Sequence, residues 1–429
     1  MLDGIFKLTE NGTTARTEVL AGLTTFLTMA YIVFVNPSIL AQAGMDKGAV
    51  FVATCLAAAI STAIMGLYAR YPIALAPGMG LNAFFTFTLV KGMGLSWQVA
   101  LGAVFISGVI NVALSVSPIR QWIFDAIPQP LKMAISAGIG FFLGIIALEN
   151  AGVVVASPAT LVTLGDMTKL TTVLACAGFV VMLALDARRV PGAIVLAILI
   201  VTAAGILLGA SPGGAVFSAP PSLAPTFLQL DVMGALKASL WTILFALVFV
   251  DLFDTAGTLV GVAHRAGMLT PEGKLPRLRQ AMLADSSATL IGSLLGTSNT
   301  TSYIESAAGV KAGGRTGLTA VTVAVLFLAV LFVAPLAGMV PAYATAPALL
   351  FVACLMARGI TEINWDDVTE YAPAVVTALA MPLTYSIATG IAFGFIAFAA
   401  AKLLAGRFRE AGWPVVILAV VFLIKFAVE

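Results

Sequence analysis

Apolar runs long enough to cross a bilayer recur along nearly the whole chain. A helix needs about 17–25 such residues to cover about 30 Å of hydrocarbon, and in lipid only helices and closed barrels satisfy their own backbone groups. The pattern predicts spans at 18–40, 48–68, 73–90, 97–116, 130–149, 169–186, 190–209, 235–263, 280–295, 299–310, 317–338, 341–358, 369–383 and 384–404, with a further apolar segment at 413–428. Of 429 residues, 60% are hydrophobic and only 10% charged, against about one quarter charged in a soluble domain. No soluble domain fits between the runs, so the fold class is an all-α polytopic protein of the lipid bilayer. The first run follows a polar amphipathic segment with no small-residue cleavage site, and reads as a retained helix rather than a signal peptide.

The few charges are unevenly placed. Alternate loops hold Arg70, Arg188, Arg189, Arg277, Arg358 and Arg407, while the opposite loops carry little beyond Lys47, Lys91 and Lys169. This is the positive-inside pattern, and it predicts a multi-pass protein of the inner or plasma membrane with a cytoplasmic amino terminus. Cys55, Cys176 and Cys354 stand alone in apolar runs, as packing residues rather than a disulfide framework or thiolate metal site. The single histidine, His264, lies at the polar end of a helix. An intramembrane enzyme would need a nucleophile–base pair or a metal cluster, so neither an enzyme nor a metal or other cofactor is expected.

The halves of the chain are related around a Pro-, Gly- and Ser-rich segment at 211–233 that lacks Lys and Arg. TMAYIVFVNPSIL at 28–40 aligns with ALVFVDLFDTAGTL at 246–259, setting Asn36 opposite Asp254, and 127–146 resembles 340–360. Seven spans per half make the two repeats inverted, the usual architecture of secondary transporters. Residues 1–210 form the first repeat, 211–233 an extracellular connector, and 234–429 the second repeat with the terminal apolar segment. The third place in each half is abnormal: YPIALAPGMGLNAFFTFTLV at 71–90 is broken by Pro72, Pro77, Gly78 and Gly80, and GSLLGTSNTTSYIESAAGV at 292–310 is polar through its first half. Broken helices at matching places in the two repeats point to a binding site near the midplane. Strand-like pieces at 73–76 and 294–298 are expected to pair and so satisfy their backbone groups.

An ionisable side chain inside a span costs at least about 2.5 kcal/mol and normally faces a bundle interior or a pathway. Asp254 and Glu305 are the acids placed to do so, Asp254 in mid-span and Glu305 on the second short helix. Asp251 shares a helix face with Asp254 and serves equally well as a tie between helices. Thr255 and Thr258 suit back-bonding to their own helix, with Thr258, four residues after Asp254, the better pathway residue. Gly80 admits a ligand close to the backbone, and Asn82 offers a donor and an acceptor, unless it caps its helix. Asn299, Thr300, Thr301 and Ser302 precede the second short helix and can cap it or meet a ligand. Phe84, Phe85 and Tyr303 suit stacking on a flat ring or plain packing, and Asp285 suits a structural tie.

NPSIL at 36–40, APGMGLNAFFTFTLV at 76–90, DLFDTAGTLVGV at 251–262, ADSSATLIGSLLGTSNTTSYIESAAGV at 284–310 and MPLTYSIATGIAFGFI at 381–396 resemble, nearly end to end, the AzgA-like purine permeases. These are the hypoxanthine, guanine and adenine branch of the nucleobase–cation symporter (xanthine/uracil permease) superfamily. The resemblance implies fourteen spans as a 7+7 inverted repeat, divided into a core domain (spans 1–4 and 8–11) and a gate domain (5–7 and 12–14). It also implies short antiparallel strands in spans three and ten. It places substrate binding on Glu305, Asp254, Asn82, Gly80, Thr258, Ser302 and Phe84, and proton coupling on Asp254 and Glu305. Where uracil-type members have Glu followed four residues later by His, this chain has Asp254 and Thr258, which favours a purine. The expected partners are a purine nucleobase, the proton and the lipid bilayer, with no nucleic acid; a homodimer is left open. An anion transporter of the sulfate or bicarbonate type shares the fold and is the alternative, but two acids beside the site argue against an anion.

Overall fold

The computed structural model describes residues 2–117, 127–237, 240–265, 268 and 275–428. Among these, eight helical spans are each long and apolar enough to cross a membrane, from Ala15–Ala41 to Ile387–Leu404. Shorter apolar helices lie at Ala193–Leu207, Val368–Leu383 and Trp413–Val428. The first apolar run is two helices, Ala15–Met29 and Ile32–Ala41, meeting at Ala30 and Tyr31. Polar residues mark helix starts by accepting orphan backbone N–H groups: Thr14 from Thr17, Asp46 from Ala49 at 2.7 Å, Ser96 from Val99 at 3.3 Å and Ser386 from Thr389 at 3.2 Å. The segment at 413–428, unassigned by the sequence pattern, is a helix packed on Ile387–Leu404. Phe426 meets Phe393 of that helix and Phe422 meets Phe245 of helix Trp241–Arg265, with ring centroids 5.3 and 5.6 Å apart.

The helices pack in two sets. Ala15–Met29, Lys47–Ile64, Trp97–Val116, Leu278–Leu295 and Gly317–Val330 pack against one another. Gln129–Asn150, Leu170–Ala187, Ala193–Leu207, Ala342–Ala357, Val368–Leu383 and Ile387–Leu404 form the second set. In lipid, helices gain little from burying apolar surface and associate by close packing of small residues. Gly317 shows how close: a Cβ there would sit 1.8 Å from the carbonyl oxygen of Gly66.

Short strands occupy the broken spans, the first overlapping the expected 73–76 and the second lying past 294–298. β1 is Leu75–Pro77, two residues later than the apolar pattern suggests. Two further strands, β2 (Val154–Ser157) and β3 (Leu161–Leu164), form an exposed antiparallel hairpin in the link after helix 129–150, which the sequence pattern leaves unassigned. β4 is Thr300–Ser302, past the 294–298 piece, because the preceding helix runs on to Leu295 and ends on Gly296 in the left-handed conformation. β1 and β4 pair antiparallel, with Leu75 opposite Ser302 and Pro77 opposite Thr300.

An ionic cluster joins helices 368–383 and 387–404. Lys402, 1% exposed, meets Glu410 at 2.8 Å and Asp367 and Glu370 at 3.4 Å, and Arg407 binds Asp367 at 2.5 Å and Glu410 at 2.7 Å. Hydrogen bonds from Thr369 and Arg407 hold Asp367 well below the usual carboxylate range; those from Arg407 and Lys402 lower Glu410. A carboxylate with a depressed folded value stabilises above its unfolded value, near 4, and loses that contribution as the pH falls through the folded one. Thermal stability in detergent should therefore fall on acidification below about pH 4, and Arg407→Met should blunt that fall. Equal acid sensitivity in the variant would show that the cluster does not contribute.

Candidate functional site

The β1–β4 pair has only two strands, so each strand presents an outer edge of backbone groups that lipid cannot satisfy. Polar side chains within the apolar helices do so instead. Thr62 accepts from Leu75 N at 2.9 Å and donates to Leu75 O at 3.0 Å. Thr289 donates to Thr300 O at 3.1 Å, and Asp285 accepts from Ser302 N at 2.8 Å. Gly78 N extends the pairing to Asn299 O at 2.8 Å, and Tyr303 N to Ala74 O at 2.9 Å. Each strand then feeds a helix, Met79–Ala83 after β1 and Ser306–Lys311 after β4. Antiparallel pairing puts the two helix starts at opposite ends of one small sheet.

Glu305 is the N-cap residue of helix 306–311, half-buried. Tyr31, at the break in the first apolar run, donates to Glu305 Oε1 at 2.6 Å, and Thr28 Oγ1 lies 3.5 Å from the Glu305 carbonyl. At the other end of the sheet Asn82, fully buried, lies inside helix 79–83 and does not cap it; Gly78 holds that position. Its Nδ2 donates to Asn36 Oδ1 at 2.9 Å, while Oδ1 has no partner among the described residues. Gly80 lies one turn of chain before the aromatic run, and a Cβ on it would come within 2.6 Å of Ile139 Cγ2 on helix 129–150. That methyl belongs to a stiff β-branched side chain. Uptake should therefore be lost in Gly80→Leu and reduced in Gly80→Ala, and Ile139→Ala should restore the latter; failure of that rescue would show that contact with Ile139 is not what limits residue 80.

The other predicted residues fall in different surroundings. Helix Trp241–Arg265 carries Asp254, but the side chains of Asp254 and His264 lie outside the described residues. Thr258 is buried on that helix. Ser302 is part of the scaffold: its N–H and its hydroxyl both donate to Asp285 Oδ1 at 2.8 Å. Asp285 also accepts from Thr255 and, at 3.4 Å, from Thr301, which fixes β4 to helix 278–295. Phe84 and Phe85 are packed in the apolar core, on a π-helical stretch spanning Phe84–Gly92, and Tyr303 donates to Pro77 O at 2.5 Å. Asp251 accepts from Asn111 Nδ2 at 2.8 Å, tying helix 241–265 to helix 97–116. Two residues left out of the expected site, Tyr31 and Asn36, belong to its surroundings, together with Asn299, which the sequence offers as a cap or ligand contact. Tyr31 holds Glu305 and Asn36 holds Asn82. Asn299 is fully buried with neither side-chain polar atom partnered among the described residues. The signal available was polarity within apolar runs; Asn36 stood out only as the repeat counterpart of Asp254.

Residues 16–393 match the model described as the permease family. A putative permease of Methanocaldococcus jannaschii is 55% identical over 98% of this chain and 97% of its own length. The adenine permease AdeP of Escherichia coli is 48% identical over 99% and 96%, and the guanine/hypoxanthine permease PbuG of Bacillus subtilis 47% over 98% of each. Among solved structures, the transmembrane domain of a cyanobacterium bicarbonate transporter, BicA, superposes with a TM-score of 0.63 at 16% identity, covering 89% of this chain and 97% of that one; at that identity the likeness is one of fold. With the family's model matched over most of its length and adenine and guanine/hypoxanthine permeases among its close relatives, the chain belongs to the permease family, in the purine branch of the nucleobase–cation symporter superfamily.

Proposed function

We propose that this protein is a proton-coupled symporter that imports purine nucleobases, adenine, guanine or hypoxanthine, across the cell membrane by alternating access. The observation that carries the reading is the pair of broken helices joined by β1 and β4, with the Glu305 carboxylate at one end of the sheet and the Asn82 amide at the other. A neutral base offers ring N–H groups, ring nitrogens and a flat face. A carboxylate and an amide at opposite ends of one small sheet can meet two of its edges by hydrogen bonds. Asp254 completes the set from helix 241–265 and shares proton coupling with Glu305. That close relatives are adenine and guanine/hypoxanthine permeases supports a purine.

Fourteen spans in two inverted repeats, 1–210 and 234–429 about the 211–233 connector, give the frame, with the amino terminus cytoplasmic. The two sets of packed helices support a core that carries both broken spans and a gate that moves against it. Gly80, on the first broken span, meets Ile139 of the second set. The anion alternative rests on fold likeness alone, since the bicarbonate transporter is 16% identical.

Radiolabelled base uptake in a host lacking its own permeases tests the reading. Saturable uptake of at least one purine, competed by other purines and not by bicarbonate or sulfate, is the expected result; no uptake of any purine would overturn it. Asn82→Ala should cut uptake by about tenfold or more, the worth of one to two buried hydrogen bonds, with normal membrane abundance. Asp251→Asn should do less, because Asp251 faces Asn111.

A further inference from the structure

We infer that Thr54 and Asn36 are specificity-determining positioning residues: through two hydrogen bonds they fix the Asn82 amide so that it offers the base an acceptor. The inference rests on the reading that Asn82 faces the base. Carbonyl and amino ends of an amide have nearly the same shape, so the surrounding hydrogen bonds decide which end points where. Here the chain of bonds begins at a group with no choice. Val50 O only accepts, and Thr54 donates its one hydroxyl proton to it at 2.6 Å, the back-bonding usual for Thr in apolar helices. Thr54 Oγ1 is then an acceptor only.

Facing it at 2.8 Å is Asn36, which must present Nδ2. The second proton of that Nδ2 goes to Thr297 Oγ1, also at 2.8 Å. Asn36 therefore turns Oδ1 toward Asn82, and Asn82 answers with Nδ2 at 2.9 Å. Among the described residues the other proton on Asn82 Nδ2 has only Met79 Sδ near it, at 3.9 Å, a weak acceptor. Oδ1 of Asn82 remains over, buried and unpartnered within the described protein. Thr54, Asn36, Asn82 and Thr297 are all fully buried, so a reversed amide would face like atoms together where water cannot relieve them. The relay links four chain segments, helices 32–41, 47–64 and 79–83 and the approach to β4.

Thr54 and Thr297 are not equivalent in this scheme. The Thr297 hydroxyl makes no other hydrogen bond among the described residues and is able to rotate, donating or accepting. Without the Thr54 hydroxyl, both amides can turn over together: Thr297 then donates to Asn36, Asn36 donates to Asn82, and Asn82 shows the base an N–H instead of a carbonyl.

The test is competition of radiolabelled base uptake by adenine, 2,6-diaminopurine, hypoxanthine, guanine and unsubstituted purine, in wild type, Thr54→Val, Thr54→Ser and Thr297→Val. These bases differ in which edge atoms donate and which accept, and a site that hydrogen-bonds an edge discriminates strongly against the wrong pattern. In Thr54→Val the ratio of half-inhibitory concentrations between amino and keto bases should move by about tenfold or more. Thr54→Ser and Thr297→Val should keep the wild-type order. Loss of uptake for all bases in parallel, or an unchanged order in Thr54→Val, would overturn the inference. Should Thr54→Val fail to reach the membrane, Thr54→Ala removes the same hydroxyl with less bulk and reads the same ratio. Wild-type uptake separates the two levels: a chain that takes up no purine fails the functional reading itself, whereas purine uptake with an unmoved order in Thr54→Val fails only the relay.

Discussion

Glu305→Gln should reduce purine uptake by a factor on the order of 100, the worth of one or two hydrogen bonds to a charged group, with the protein at its normal level in the membrane. The substitution keeps the shape of the side chain and removes its charge and its capacity to take a proton. Tyr31 donates to Oε1 at 2.6 Å, so one carboxylate oxygen is held by the protein and the other is the one proposed for the base. Gln offers an N–H where one of these acceptors stood: turned toward the base it meets a donor with a donor, and turned toward Tyr31 it forces the phenol to accept instead of donate and leaves the base a neutral carbonyl in place of a carboxylate oxygen. Tyr31→Phe should therefore weaken uptake in wild type and add little further loss in Glu305→Gln, because residues acting through one group are not additive. Fully additive losses would mean that Tyr31 acts independently of Glu305, and normal uptake by Glu305→Gln would remove the acid from the site.

The placement of Glu305 illustrates what the sequence could and could not supply. That two apolar spans were broken followed from Pro72, Pro77 and the polar run 297–302, since neither stretch can be an uninterrupted helix in lipid. That their strands pair followed from the same demand for backbone satisfaction. Register was another matter. Moving the strands from 73–76 and 294–298 to Leu75–Pro77 and Thr300–Ser302 depends on where helix 278–295 stops, and that stop is set by Gly296 in the left-handed conformation, one of several glycines able to adopt it. The roles of Ser302 and Tyr31 were out of reach for a different reason. Ser302 lies next to a binding-type motif, yet its donors are taken by Asp285, seventeen residues earlier; Tyr31 reads as one more aromatic in an apolar run, yet reaches Glu305 across 274 residues. Hydrogen bonds across such separations are fixed by how the helices pack, and no local pattern records them.

Base accumulation should follow a proton gradient and be indifferent to sodium. Asp254 and Glu305 are the proposed coupling pair, and two acids near one site titrate as a pair rather than singly. Protonating one of them leaves a single carboxylate to accept a ring N–H and lowers the charge that must cross the apolar interior when the core moves. In membrane vesicles, an imposed pH gradient, acid on the side facing the base, should drive accumulation that a protonophore collapses, and Asp254→Asn should abolish the accumulation. The place to look for a sodium site is the group of oxygens around Asp285, where the hydroxyls of Thr255, Thr301 and Ser302 converge. Those hydroxyls point their protons at the carboxylate, Thr255 at Oδ2 and Thr301 and Ser302 at Oδ1, and Ser302 N–H also occupies Oδ1. A cation there would have to turn the hydroxyls outward and break the contacts that fix β4, whereas sodium and similar hard cations need convergent lone pairs already free. The Asp285 cluster thus belongs to the scaffold, and a sodium gradient imposed at equal pH should drive nothing. Accumulation under that sodium gradient alone would overturn the proton assignment and make Asp285→Asn the next variant to measure.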